Sequence, residues 1–286
     1  MNRSSATATI VCCARGIGIS STQRDPLAAQ FVAPPWIAST LDLFGHSSLL
    51  ANLTRLSLRA LSLGIVDHNT IRMLVIDEYL RIWLRDGCRQ VIILGAGLDA
   101  RYWRMPEFEG VQVFEVDHPA SQRTKAALVI DRGLARETLH FVPVDLEVDD
   151  LSEPLKQAGY QCEEPSAWVC EGVTPYLQPS SIARLWRNAA SISAHGSNFI
   201  LSYIVPTQST RSATARLLVR LLASRLGEPA RGAVSKVEMH AYVEEAGLRR
   251  LEDIGWERWK APEHSYTRFP NLLKERLIVA KQDGGK

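Results

Sequence analysis

The stretch Val91-Ile92-Ile93-Leu94-Gly95-Ala96-Gly97-Leu98-Asp99-Ala100-Arg101 decides how the rest of the chain is read. Four consecutive apolar residues running into a glycine have the pattern of a strand buried on both faces. Gly95 and Gly97 then let the backbone turn sharply and leave no Cβ between the chain and an approaching ligand. A second apolar run at 111–116 follows and delivers Asp117, twenty residues beyond Gly97. At that spacing a carboxylate on the tip of the second strand reaches a ribose, because an ionised acid accepts from both hydroxyls. The pattern predicts nucleotide-type binding, with a purely structural turn as the alternative.

Further apolar runs at 139–144, 167–170 and 199–205 alternate with helical stretches at 120–130 and 180–190, so a mostly parallel sheet is expected. Before the glycine turn, Leu41, Phe44, Leu49, Leu50, Leu53, Leu56 and Leu58, then Ile71, Leu74, Val75, Ile76, Tyr79 and Leu80, recur at three and four. That predicts a helical cap over residues 1–86, preceding an α/β core at 87–286. In the last third, residues 211–226 set Arg211, Arg216, Arg220 and Arg225 beside Leu217, Leu218, Leu221 and Leu222. This reads as an inserted cap segment at 206–232 with a solvated basic face, rather than a membrane-surface helix. A helix at 237–246 follows, and runs at 251–256 and 276–280 read as terminal strands, an antiparallel pair in the simplest arrangement.

Composition limits the function. Of 286 residues 46% are hydrophobic and 22% charged, with a net charge of +2, which describes a globular protein with no basic field for nucleic acid or an anionic membrane. The longest uncharged stretch, 188–210, is broken by polar residues and Pro206, so no membrane helix is expected. Arg15 interrupts the apolar N-terminus, which argues against a signal peptide. Five cysteines without a C-x-x-C pair fit reduced thiols and a cytoplasmic location, and no His spacing suggests a metal.

Gly95-x-Gly97-x-x-Ala100 also satisfies the dinucleotide fingerprint, which keeps an NAD(P)-dependent oxidoreductase in play. No Tyr is followed by Lys four residues later, however, and Asp99 and Arg101 crowd the turn where a pyrophosphate needs room.

Several blocks share an order and spacing: Arg24-Asp25-Pro26-Leu27-Ala28, Arg72, Leu94 to Arg101, Phe114-Glu115-Val116-Asp117-His118-Pro119, Val142-Pro143-Val144-Asp145-Leu146 and Glu171-Gly172-Val173-Thr174-Pro175-Tyr176-Leu177. Together they resemble the leucine carboxyl methyltransferase family of class I S-adenosyl-L-methionine-dependent methyltransferases, particularly its bacterial small-molecule and natural-product branch. The resemblance covers roughly residues 5–205 and thins beyond. It implies an α/β, Rossmann-like, mostly parallel seven-stranded sheet whose last strand is antiparallel, with a helical N-terminal cap and an inserted lid segment.

The resemblance also implies roles. Gly95, Ala96 and Gly97 would pass under the methionine part of S-adenosyl-L-methionine, and Arg72 would pair with its carboxylate. Asp117 would hold the ribose, Asp145 and Leu146 the adenine, and Glu171 the ammonium group. Tyr176 would face the methyl-transfer region and, with Arg72, form the catalytic pair. The implied reaction is O-methylation of a small-molecule carboxylate to a methyl ester, with a hydroxyl acceptor in secondary metabolism or a non-catalytic binding role as alternatives. Other readings of the same residues remain: Arg72 paired with Asp77 or Glu78 on its own helix, Asp145 as a helix cap, Glu171 as a structurally paired buried acid, Tyr176 as packing, and His118 and His140 as ordinary loop or strand-edge histidines.

Overall fold

The computed structural model describes residues 6–31, 35–43, 48–62, 64–206, 232–259 and 275–283. The inserted cap segment read at 206–232 lies outside them except for its two end residues. Among the described residues five helices precede the sheet: α1 (Ala6–Ile17), α2 (Ala28–Phe31), α3 (Pro35–Leu43), α4 (Leu49–Leu61) and α5 (Ile65–Arg85). The core then alternates β1 (Gln90–Leu94), α6 (Arg101–Arg104), β2 (Gln112–Asp117), α7 (Pro119–Asp131), β3 (Leu139–Pro143), α8 (Ser152–Gln157), β4 (Ser166–Cys170), α9 (Pro179–Ser191) and β5 (Asn198–Ile204). It closes with α10 (Lys236–Glu245), β6 (Arg249–Gly255) and β7 (Glu275–Lys281).

The seven strands lie in the order β3-β2-β1-β4-β5-β7-β6. β1 to β5 are mutually parallel, while β7 runs antiparallel to both β5 and β6. The central strands are buried on both faces because alternate side chains feed two cores. Ile92, Leu94, Phe114, Val116, Trp168 and Cys170 pack with Ile182, Leu185 and Trp186 of α9. Val91, Ile93, Val113, Ala167 and Val169 pack with Ile76, Leu80 and Trp83 of α5 on the other side. Helices on both faces are what near-continuous apolar strands require.

The leucine-rich stretch does not form one continuous helix over the described residues: Leu41 belongs to α3, Leu49 to Leu58 belong to α4, and residues 44–47 are not described. In α4 the buried positions are Ala51 and Arg55, whereas Leu49, Leu50, Leu53, Leu56 and Leu61 are exposed. Among the described residues no single helix is long and apolar enough to cross a membrane.

What positions the site is the alignment of strand ends. Leu94 stands in register with Val116 on one side and Cys170 on the other, so the turns after β1, β2 and β4 emerge side by side at the carboxyl edge of the sheet. An open parallel sheet presents its ligand crevice there.

Candidate functional site

A cleft of about 460 Å³ opens at that edge. Its wall includes each residue assigned a cofactor-binding or catalytic role from the sequence: Arg72 from α5; Gly95, Ala96 and Gly97 after β1; Asp117 at the end of β2; Asp145 and Leu146 after β3; and Glu171 and Tyr176 after β4.

The glycine turn is shaped by contact as well as by backbone angle. Gly95 has φ +64°, and a Cβ there would come within 2.2 Å of Cγ2 of Val173. Gly97 has φ +51°, and a Cβ there would sit 3.3 Å from that of Ala8. The turn is therefore clasped between α1 and the segment after β4, and other residues would be strained there. The Gly97 N–H donates to Oδ2 of Asp117 at 2.6 Å, while the His118 N–H donates to Oδ1 at 2.6 Å. Burial pushes the Asp117 carboxyl above its ordinary pKa despite these two donors.

Below the turn lies a network of buried charges centred on Glu171. Its Oε1 meets Nη2 of Arg15 at 2.6 Å and Nε of Arg72 at 2.9 Å, and its Oε2 meets Arg101. Burial alone would raise the carboxyl's pKa, but Arg101, Arg15 and Arg72 outweigh it and hold Glu171 well below the carboxylate range. Arg72 also donates from Nη1 to both oxygens of Glu275, at 2.9 and 2.6 Å, and from Nη2 to Asn69 at 2.8 Å. Glu275 opens β7 and is gripped as well by His68. Arg72 and His68 together overcome its burial and bring its pKa to about 2.

The alternative partners of Arg72 on its own helix are committed elsewhere. Asp77 binds Arg101 at 2.7 Å and Arg104 at 2.6 Å, and Glu78 pairs with Arg81. Asp99 and Arg101 are buried and paired with each other. Asp145 does not cap a helix; its Oδ1 accepts from the Glu147 N–H at 2.9 Å in a local turn. His118 caps α7, with Nδ1 accepting from the Ala120 N–H at 3.2 Å, and His140 on β3 lies 2.8 Å from Gln112 Oε1. Among the described residues no group of three His, Cys, Asp or Glu could hold a metal ion.

Sequence reading named no site residue on α1. Ala8, Val11, Cys12 and Arg15 all line the cleft, and their spacing places them on one face of a helix. A single charge in an otherwise uncharged amphipathic stretch was the available signal. Glu275 and His68 gave none, since each looks ordinary in its own segment.

The wall suits a zwitterion joined to a nucleoside: cations and an acid for the charged tail, a glycine cradle, and a carboxylate where a ribose is expected. The sequence profile of the leucine carboxyl methyltransferase family matches residues 8–190. The chain belongs to that family. A relative from Mycolicibacterium paratuberculosis, named "Putative S-adenosyl-L-methionine-dependent methyltransferase", is 39% identical over 136 residues, covering 47% of this chain and 42% of that protein. A relative of the same name from Mycobacterium ulcerans is 34% identical over 209 residues, covering 71% of this chain and 66% of that one. The matched stretches thus span less than two thirds of these relatives' length. Among solved structures, one titled as a putative methyltransferase from Thermobifida fusca superposes with a TM-score of 0.61 at 18% identity, over 85% of this chain and 92% of that one. This family member therefore shares the class I methyltransferase fold.

Proposed function

We propose that the chain is an S-adenosyl-L-methionine-dependent O-methyltransferase that binds the donor in the cleft and esterifies a carboxylate of a small molecule. The observation that carries the reading is the convergence of the glycine turn, Asp117 and the Arg72–Glu171 pair on one cleft. In it Gly95, Ala96 and Gly97 pass beneath the methionine part, and Asp117 accepts from the ribose hydroxyls. Asp145 accepts from the adenine amine while Leu146 covers the ring. Glu171 receives the ammonium group and Arg72 the carboxylate, with Tyr176 beside the transferring methyl.

Bound S-adenosyl-L-methionine supplies a sulfonium methyl, which passes to an acceptor oxygen as the sulfur–carbon bond breaks, leaving S-adenosylhomocysteine. The protein's task is to align the acceptor oxygen with that bond and to keep water out. A carboxylate acceptor, with a pKa near ~4, is already ionised at neutral pH and needs no general base. The engagement of His118 Nδ1 as a helix cap favours such an acceptor over a hydroxyl. The five free thiols are in keeping with action in the cytoplasm.

The test is chemical. Product made from methyl-labelled donor and a carboxylate-bearing acceptor should release labelled methanol in mild alkali, because methyl esters hydrolyse there. Label that stays with the product would replace the carboxylate with a hydroxyl or nitrogen acceptor.

A further inference from the structure

Arg15 is the only charged residue of α1, and it reaches the cleft at the end of an apolar stripe formed by Ala8, Val11 and Cys12. It is only 7% exposed. Its Nη2 pairs with Glu171 at 2.6 Å, and its Nη1 stands 3.7 Å from Asp99, beyond hydrogen-bond reach. Its buried Nε has no hydrogen-bond partner among the described residues. Buried donors are seldom left so, because their desolvation is then uncompensated. Arg72 differs: each of its three nitrogens already donates to Glu171, Glu275 or Asn69.

We propose that Arg15 binds a carboxylate inside the cleft, as a second cation beside Arg72. The proposal rests on the cofactor reading above. A carboxylate matches the chemistry because its two oxygens accept from neighbouring N–H groups of a planar guanidinium, a geometry that a lysine ammonium does not reproduce. Two carboxylates are candidates, the methionine tail of the donor and the reacting group of the acceptor, and both lead to the same residue. The apolar stripe then lies along the part of the ligand that carries the carboxylate, where it displaces water and strengthens the ion pair.

The experiment compares three probes on the full chain by calorimetry: S-adenosylhomocysteine, methylthioadenosine (which lacks the carboxylate tail), and benzoate added to protein saturated with S-adenosylhomocysteine. Thermal unfolding of Arg15→Gln and Arg15→Lys establishes that each variant is folded, and the readout is the ratio of affinities between probes. In Arg15→Gln a loss of about tenfold or more for S-adenosylhomocysteine, with methylthioadenosine unchanged, places the donor's tail on Arg15. A loss confined to benzoate places the acceptor there. In either case Arg15→Lys recovers only part of the affinity. Equal losses for both nucleosides, or no change with any probe, would overturn the proposal. Wild-type binding of S-adenosylhomocysteine tests the cofactor reading by itself, and a wild type that binds neither nucleoside removes both.

Discussion

The Gly97 N–H donates to Oδ2 of Asp117 at 2.6 Å, tying the turn after β1 to the tip of β2 across twenty residues of chain. One carboxylate thus holds the glycine turn in place and faces the cleft. Asp117→Ala removes an acceptor worth about 1.5–3 kcal/mol per charge-assisted hydrogen bond. Affinity for S-adenosylhomocysteine should fall at least tenfold by calorimetry on the folded variant. Because burial raises the Asp117 pKa, protonation begins above the pH at which an ordinary Asp titrates. Wild-type affinity should therefore begin to decline on acidification before that range is reached, and a pH series would show it.

Gly95→Ala tests the clasp around the turn. The new methyl group would meet Val173 at 2.2 Å in a left-handed backbone. Overpacking costs about 1–3 kcal/mol and the backbone conformation about 1 kcal/mol more. Chemical denaturation should show the combined loss, and adding Val173→Ala should restore the steric part only. Full restoration would mean that the backbone angle carries no strain.

Glu275→Gln tests the anchor behind Arg72. Removing one partner of a buried ion pair costs on the order of 3 kcal/mol at neutral pH. Glu275 has its pKa lowered to about 2, so its contribution to stability is fully present above the ordinary value of 4.5 and disappears as pH falls through 2. The stability gap between wild type and variant should accordingly narrow between those two pH values. A gap independent of pH there would place the cost in packing rather than charge.

Much of the fold and part of the cleft were legible because their signals are local. The apolar run at 91–94, the glycines that follow it and the acid at 117 sit within one β-α-β unit, whose geometry fixes their separation. The residues missed are joined only by the folded chain: Glu275 is 203 residues from Arg72, and Arg15 reaches Glu171 only because α1 lies over the turn. Periodicity also set the helical character of 49–61 without its orientation. Leu49, Leu50 and Leu53 face outward while Arg55 is buried, an arrangement that a count of apolar spacings does not predict.

The central claim is that the cleft at the carboxyl edge of the sheet binds S-adenosyl-L-methionine, and calorimetric titration of the full chain with S-adenosylhomocysteine tests it most directly. The account predicts saturable binding of one ligand per chain, weakened by Asp117→Ala, with no corresponding binding of NADH. Binding of NADH without any heat from S-adenosylhomocysteine would contradict it and return the glycine turn to the dinucleotide reading.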